Sequence, residues 1–236
     1  MPHAARPEAA PAAPLDYSDY AAALADYVNT EGLVHYSNLK ANRHALDAFV
    51  EAIATLDPPT FDSWKPLDRL AFWINAYNAL TLKAIIDHYP IQPSLLRSLR
   101  FPQNSIRQIP GVWNQLHFKV MGRLMTLDEI EHQVIRKQFD EPRAHMALVC
   151  AAKGCPVLRN EPYAGDRLDS QLEDQVTKFV HNPSQFRVDP EKKIIHLSKI
   201  LDWYGDDFEP EFADPERFPG RSRAEGAVLN FLSRYV

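Results

Sequence analysis

Apolar residues recur at helical spacing in several separate stretches of this chain, which predicts helices that pack through one face. In LDYSDYAAALADYV, Tyr20, Ala23, Leu24 and Tyr27 share one side of the first such helix, and Glu31-Gly32 ends it. A second pattern runs through Leu46, Phe49, Val50 and Ile53 and closes at Asp57-Pro58-Pro59. The third, LDRLAFWINAYNALTLKAIIDHYP, is the longest and lies between Pro66 and Pro90. Its apolar residues, from Leu70 through Phe72, Trp73 and Ile74 to Ile86, cover most of the circumference, so this helix is predicted to be largely buried. Asn75 and Asn78 then lie inside a core, where an unpartnered amide costs about 1–3 kcal/mol. They are candidates to tie down backbone or to position a substrate.

Shorter patterns fill the remainder. VHYSNLK alternates and reads as a short strand or an extended lead-in, and residues 91–119 read as loop-rich with short strands. HFKVMG and RLMT flank Gly122 as a hairpin, after which Thr126 and Glu129 form a capping box for a helix carrying Ile130, Val134 and Ile135. On an α-helix Glu131 and His132 lie about 100° apart and are not expected to face one site together. AHMALVCAA reads as a buried strand, ended by a sharp turn at Lys153-Gly154-Cys155-Pro156. Beyond it come a helix in LDSQLEDQVTKFV, a short strand in IIHLS, the aromatic segment ILDWYGDDF and a last helix in AEGAVLNFLSRYV. With no repeat and no Pro/Gly/Ser linker dividing residues 15–236, the expectation is one α+β domain behind an Ala/Pro-rich leader at residues 1–14.

Composition narrows the function classes. The chain has 236 residues, of which 45% are apolar or aromatic, enough for a sizeable core. A net charge of −5 argues against a general nucleic-acid or anionic-membrane binder, and no apolar run approaches the roughly 20 residues needed to span a bilayer. The leader lacks a basic start and an apolar core, so it is not itself a signal peptide. A soluble protein follows, periplasmic or secreted if that leader trails a removed export signal and cytoplasmic otherwise. Oligomeric state has no signature in the sequence.

The chemistry concentrates in RAHMALVCAAKGCPVLR, which holds both cysteines, Cys150 and Cys155, and His145. A thiol attacks as the thiolate, so it needs a base and a site that favours negative charge. Cys155 on its turn is the candidate nucleophile, His145 the candidate base, and Glu131 on the preceding helix the carboxylate that would fix the imidazole tautomer. Three other readings compete. Both cysteines can be small buried hydrophobes, with the chain serving as a binding or scaffold module. They can bridge, if the backbone folds back across four residues. They can also join His145 and His132 around zinc, although the spacing lacks a short Cys knuckle and a straight strand would turn His145 and Cys150 to opposite faces. Asp202, Asp206, Asp207, Glu209 and Glu211 read as an exposed acidic loop, without the spacing or central glycine of a calcium loop. No Gly-rich phosphate loop or GxSxG elbow is present, so no cofactor is implied.

VHYSNLK, AFWINAYNALTL, LDEIEHQVIR, PRAHMALVCAAKGCPVLR and LSKILDWYGDDF, in that order, resemble the family catalogued as domain of unknown function 547. The family looks like a distant relative of papain-like and transglutaminase-like cysteine hydrolases. That resemblance implies a papain-like/transglutaminase-like α+β domain with a helical N-terminal part, a small antiparallel sheet and a Cys-His-acid constellation. Its cysteine before proline falls on Cys155, its histidine on His145 and its glutamate before histidine on Glu131. Gly154 stands where the family usually has a small hydroxyl residue, which removes a possible donor to a thiolate or oxyanion. The implied function is a thiol-dependent hydrolase or acyltransferase acting on a peptide or small-molecule amide.

Overall fold

In the computed structural model, residues 15–151 and 154–236 are described; the leader at residues 1–14 lies outside them. The helix Pro66–Asp87 is the axis, and every residue from Leu70 to Leu82 is buried. Pro66 at its first turn suits a position whose N–H has no intrahelical acceptor. Around it pack the helices Ser18–Tyr27 and His44–Thr55, with Tyr20 stacked on Phe49 at 4.5 Å between ring centroids. VHYSNLK, expected as a short strand or an extended lead-in, is neither along its length: Val34 makes one antiparallel bridge to Val28, and Tyr36–Ala41 is helical.

The hairpin forms as its sequence suggests. Phe118–Val120 pairs with Arg123–Met125, and Met121 and Gly122 make the two-residue turn with φ of 47° and 76°. Positive φ at both turn positions matches the twist of the flanking strands, and glycine takes it without strain. The turn is docked by hydrogen bonds from Met121 N and Gly122 N to the carbonyls of Ile53 and Ala54, both 2.9 Å. Thr126 and Glu129 form the capping box. Residues 91–119 are loop-rich as expected, but apart from the start of the Phe118–Val120 strand their regular elements are a short helix, Leu95–Ser98, and a 3₁₀ turn, Ile106–Gln108.

A second, smaller core lies on the C-terminal side. The helices Leu168–His181 and Arg223–Leu232 enclose Phe179, Phe208, Phe212, Val228 and Phe231. Phe186–Asp189 pairs with Ile194–Leu197 as a second antiparallel hairpin. The described residues form a helix-rich α+β fold with two separate two-stranded ladders. Among the described residues no helix is long and apolar enough to cross a membrane.

The expected strand AHMALVCAA does not form over its described residues, 144–151. Pro142–Met146 is a 3₁₀ turn and the following residues are irregular. The cause lies in the partner available to this backbone. Among the described residues no strand runs beside it; instead Asn78 of the central helix donates to Ala147 O at 2.9 Å and accepts from Val149 N at 3.0 Å. One side-chain amide thus replaces a neighbouring strand for the buried segment. The turn also joins the two cores, since Ala144 and Ala147 pack in the larger one and Met146 in the smaller.

Candidate active site

His145 sits on this turn at the seam between the cores, with 5% of its surface exposed. Its Nε2 lies 2.8 Å from Asp207 Oδ2, and Tyr204 stacks on its ring at 4.1 Å and 12°. An ionised carboxylate only accepts, so Nε2 carries the proton of this bond, and in the neutral ring the lone pair is then on Nδ1. Nδ1 makes no hydrogen bond to any described residue.

Asp207 is shared with Arg136, whose Nε and Nη2 donate to its two oxygens at 2.6 and 2.8 Å. Partial burial works to raise the Asp207 pKa, but the bonds from His145 and Arg136 outweigh it and hold the carboxyl well below the usual range. Arg136 also covers the Tyr204 ring at 4.9 Å and lies 3.2 Å from His132 Nδ1. A guanidinium has only donors, so His132 accepts at Nδ1.

Glu131 forms a different cluster. Tyr77 of the central helix donates to its Oε2 at 3.0 Å, and Tyr204 donates to its Oε1 at 2.5 Å. Burial first, and then the neighbouring carboxylate, push both phenols well above their ordinary pKa. Glu131 therefore reaches His145 only through Tyr204, which bonds one and stacks on the other. The carboxylate hydrogen-bonded to the imidazole is Asp207, where the sequence pointed to Glu131.

Glu131, His132, His145 and Cys150 line one cleft of about 160 Å³, closed by Trp113 and Tyr204. Glu131 and His132 share it, contrary to the α-helical expectation, because Ile130–Ile135 is π-helical. The wider π turn changes the angle between successive side chains, and such segments often occur where a helix serves a site. Asp128, on the rim, has its carboxyl raised mainly by burial.

The two cysteines are bonded to each other, with Cα atoms 6.0 Å apart. Cys150 faces the cleft of His145, whereas Cys155 lines a separate cavity with Leu33, Val34 and Val157. The strand argument that set Cys150 apart from His145 fails together with the strand. Zinc loses its two sulfur ligands to the same bond, and no group of three or more His, Cys, Asp or Glu side chains among the described residues is arranged for a metal. At Gly154 an added Cβ would meet nothing within 4 Å, so space does not demand glycine there.

Asn75 donates to Tyr163 O at 2.8 Å and accepts from Tyr163 N at 2.9 Å, the same two-way clamp that Asn78 makes at residues 147–149. Both amides are 1% exposed, and neither lines the cleft. Sequence reasoning missed Tyr204, Arg136 and Asp207. Asp207 was grouped with an exposed acidic run, and Asp202 and Asp206 are indeed exposed, but Asp207 turns inward beside Phe208. The available signal was Phe208, an aromatic residue directly after Asp207 that is fully buried and draws its neighbour toward the core.

Fold and site together define a helix-rich α+β protein that keeps an imidazole–carboxylate pair at the seam between two cores, with the imidazole on the wall of a cleft. Residues 61–180 match the family described as "Protein of unknown function, DUF547", and the chain belongs to that family. The match contains Glu131, His145 and both cysteines, whereas Tyr204 and Asp207 lie beyond it. Comparison with curated proteins and with solved structures gives no match.

Proposed function

We propose that this protein is a thiol-dependent hydrolase or acyltransferase acting on an amide, with Cys150 rather than Cys155 as the nucleophile. The supporting observation is that His145, held by Asp207 and stacked on Tyr204, lines the same cleft as Cys150. A Cys-His-acid set of this kind is the chemistry expected of a papain-like or transglutaminase-like enzyme. The disulfide is the resting form, and a dithiol reductant opens it by exchange, leaving two protein thiols and an oxidised reductant.

His145 Nδ1 then takes the Cys150 proton, and the thiolate adds to the amide carbonyl. The imidazolium returns the proton to the leaving nitrogen as the C–N bond breaks. Water or an acceptor amine, deprotonated by His145, releases the acyl group and regenerates the thiol. Asp207 keeps the Nε2 proton in place throughout and stabilises the imidazolium. Glu131 acts one step away, through Tyr204.

The test is alkylation of the reduced protein by iodoacetamide at neutral pH, read by peptide mass spectrometry. Cys150 is expected to react faster than Cys155 and faster than free glutathione, and His145→Ala is expected to lower its rate to that of an ordinary thiol. Equal Cys150 rates with and without His145 would sink the enzymatic reading and favour a binding module.

A further inference from the structure

Between Asp87 and Asp128 the chain has no carboxylate side chain, yet it carries Arg97, Arg100, Arg107, Lys119 and Arg123. The overall charge of −5 conceals this segregation. At the tip of the segment, the turn Leu95–Ser98 and its neighbour present Leu95, Leu96 and Leu99 at 92%, 82% and 87% exposure. These are the three most exposed leucines among the described residues, and they stand side by side.

The tip is built rather than loose. Gln108, 3% exposed, accepts from Ser94 N at 3.1 Å and donates to the carbonyls of Phe101 and Pro102 at 3.2 and 3.1 Å, while Ile106 and Ile109 anchor its base in the core. Arg100 and Arg107 lie on the Phe101 ring at 5.6 and 5.2 Å, and Arg97 reaches Arg107 O at 3.1 Å. None of these three guanidinium groups has a carboxylate partner among the described residues.

We infer that this leucine tip and its arginine collar form a peripheral docking surface for an anionic lipid bilayer. The pairing of apolar and cationic groups suits a lipid surface: the exposed leucines can enter an acyl region while arginines without a carboxylate partner meet the anionic headgroups. Docking would also direct the cleft toward the bilayer, because Arg107 lies both in the collar and on the cleft wall. The inference is independent of the proposed chemistry.

The test is co-sedimentation of the full chain with vesicles of phosphatidylcholine alone or of an equimolar mixture with phosphatidylglycerol. Binding is expected to the anionic vesicles and to weaken with salt. The combined variant Leu95→Ser, Leu96→Ser, Leu99→Ser is expected to bind at least about 100-fold more weakly, since each leucine contributes its apolar burial. Arg97→Gln with Arg100→Gln is expected to lose about 30-fold at low salt, a factor that shrinks as salt rises. All five positions are at the surface, and unchanged circular dichroism will show that the variants fold. No binding to anionic vesicles at low salt would overturn the proposal, as would binding that survives the leucine variant. So would a dimer in lipid-free solution that the leucine variant abolishes, or retention on polyglutamate with none on vesicles.

Discussion

Asp207 bonds His145 directly and Glu131 reaches it through Tyr204, and the partners of the two carboxylates differ in kind. Asp207 takes a fully charged guanidinium and the imidazole N–H, and the Glu131 oxygens take two neutral phenols. The first arrangement keeps a carboxylate ionised beside an imidazole, which is what a base needs to hold its tautomer and accept a second proton. The second fixes a ring in place, since Tyr204 cannot leave Glu131 without losing its stack on His145. Nearness to a histidine along the chain therefore does not assign the orienting carboxylate.

Matched isosteric changes sharpen this contrast. His145→Ala stands first, with the alkylation rate of Cys150 in the reduced protein expected to fall by about 100-fold or more. Asp207→Asn is expected to slow the same reaction about 10- to 100-fold, whereas Glu131→Gln leaves it within about threefold. If Glu131→Gln slows it as much as Asp207→Asn, the two carboxylates share the orienting role and the distinction collapses. In urea unfolding at neutral pH, Asp207→Asn should cost about 2–3 kcal/mol, because hydrogen bonds to two charged or polarised donors are weakened.

The pH dependence isolates the charge. The folded pKa of Asp207 is depressed, so its contribution is fully present above the unfolded carboxylate value of about 3.9 and is lost as pH falls through the folded value. The stability gap between wild type and Asp207→Asn should hold steady from about pH 7 to 5 and narrow below about pH 4. A gap that stays constant into strong acid would mean that shape, not charge, sets the cost.

What the sequence reveals follows from the range of the interactions concerned. The Pro66–Asp87 helix, the Met121-Gly122 hairpin and the Thr126/Glu129 capping box are all specified by residues within a few positions of one another, and each forms. The turn at Pro142–Met146 is not local in this sense, because its apolar run suits a strand until Asn78, 69 residues from Ala147, takes the place of a strand neighbour. His145 and Asp207 are 62 positions apart, and only the packing of the second core brings them together. Charge misleads for a similar reason: a net value averages over a basic tip and an acidic remainder.

The smallest effects come from the tyrosines that separate the two carboxylates. Tyr77 is 3% exposed and its hydroxyl has Glu131 as partner, so Tyr77→Phe leaves a carboxylate oxygen short of a donor in a dry setting and should cost about 1–2 kcal/mol. Tyr204→Phe removes a donor from the same carboxylate but preserves the ring on His145 and under Arg136, and Tyr204 is only half-buried where Tyr77 is fully buried, so water can replace the lost hydroxyl. It should cost only about 0.5–1 kcal/mol in the same urea measurement. Its effect on Cys150 alkylation is the finer discriminator. If stacking alone holds the imidazole, the rate is unchanged; a fall matching that of Asp207→Asn would mean that Glu131 orients His145 through the Tyr204 hydroxyl after all.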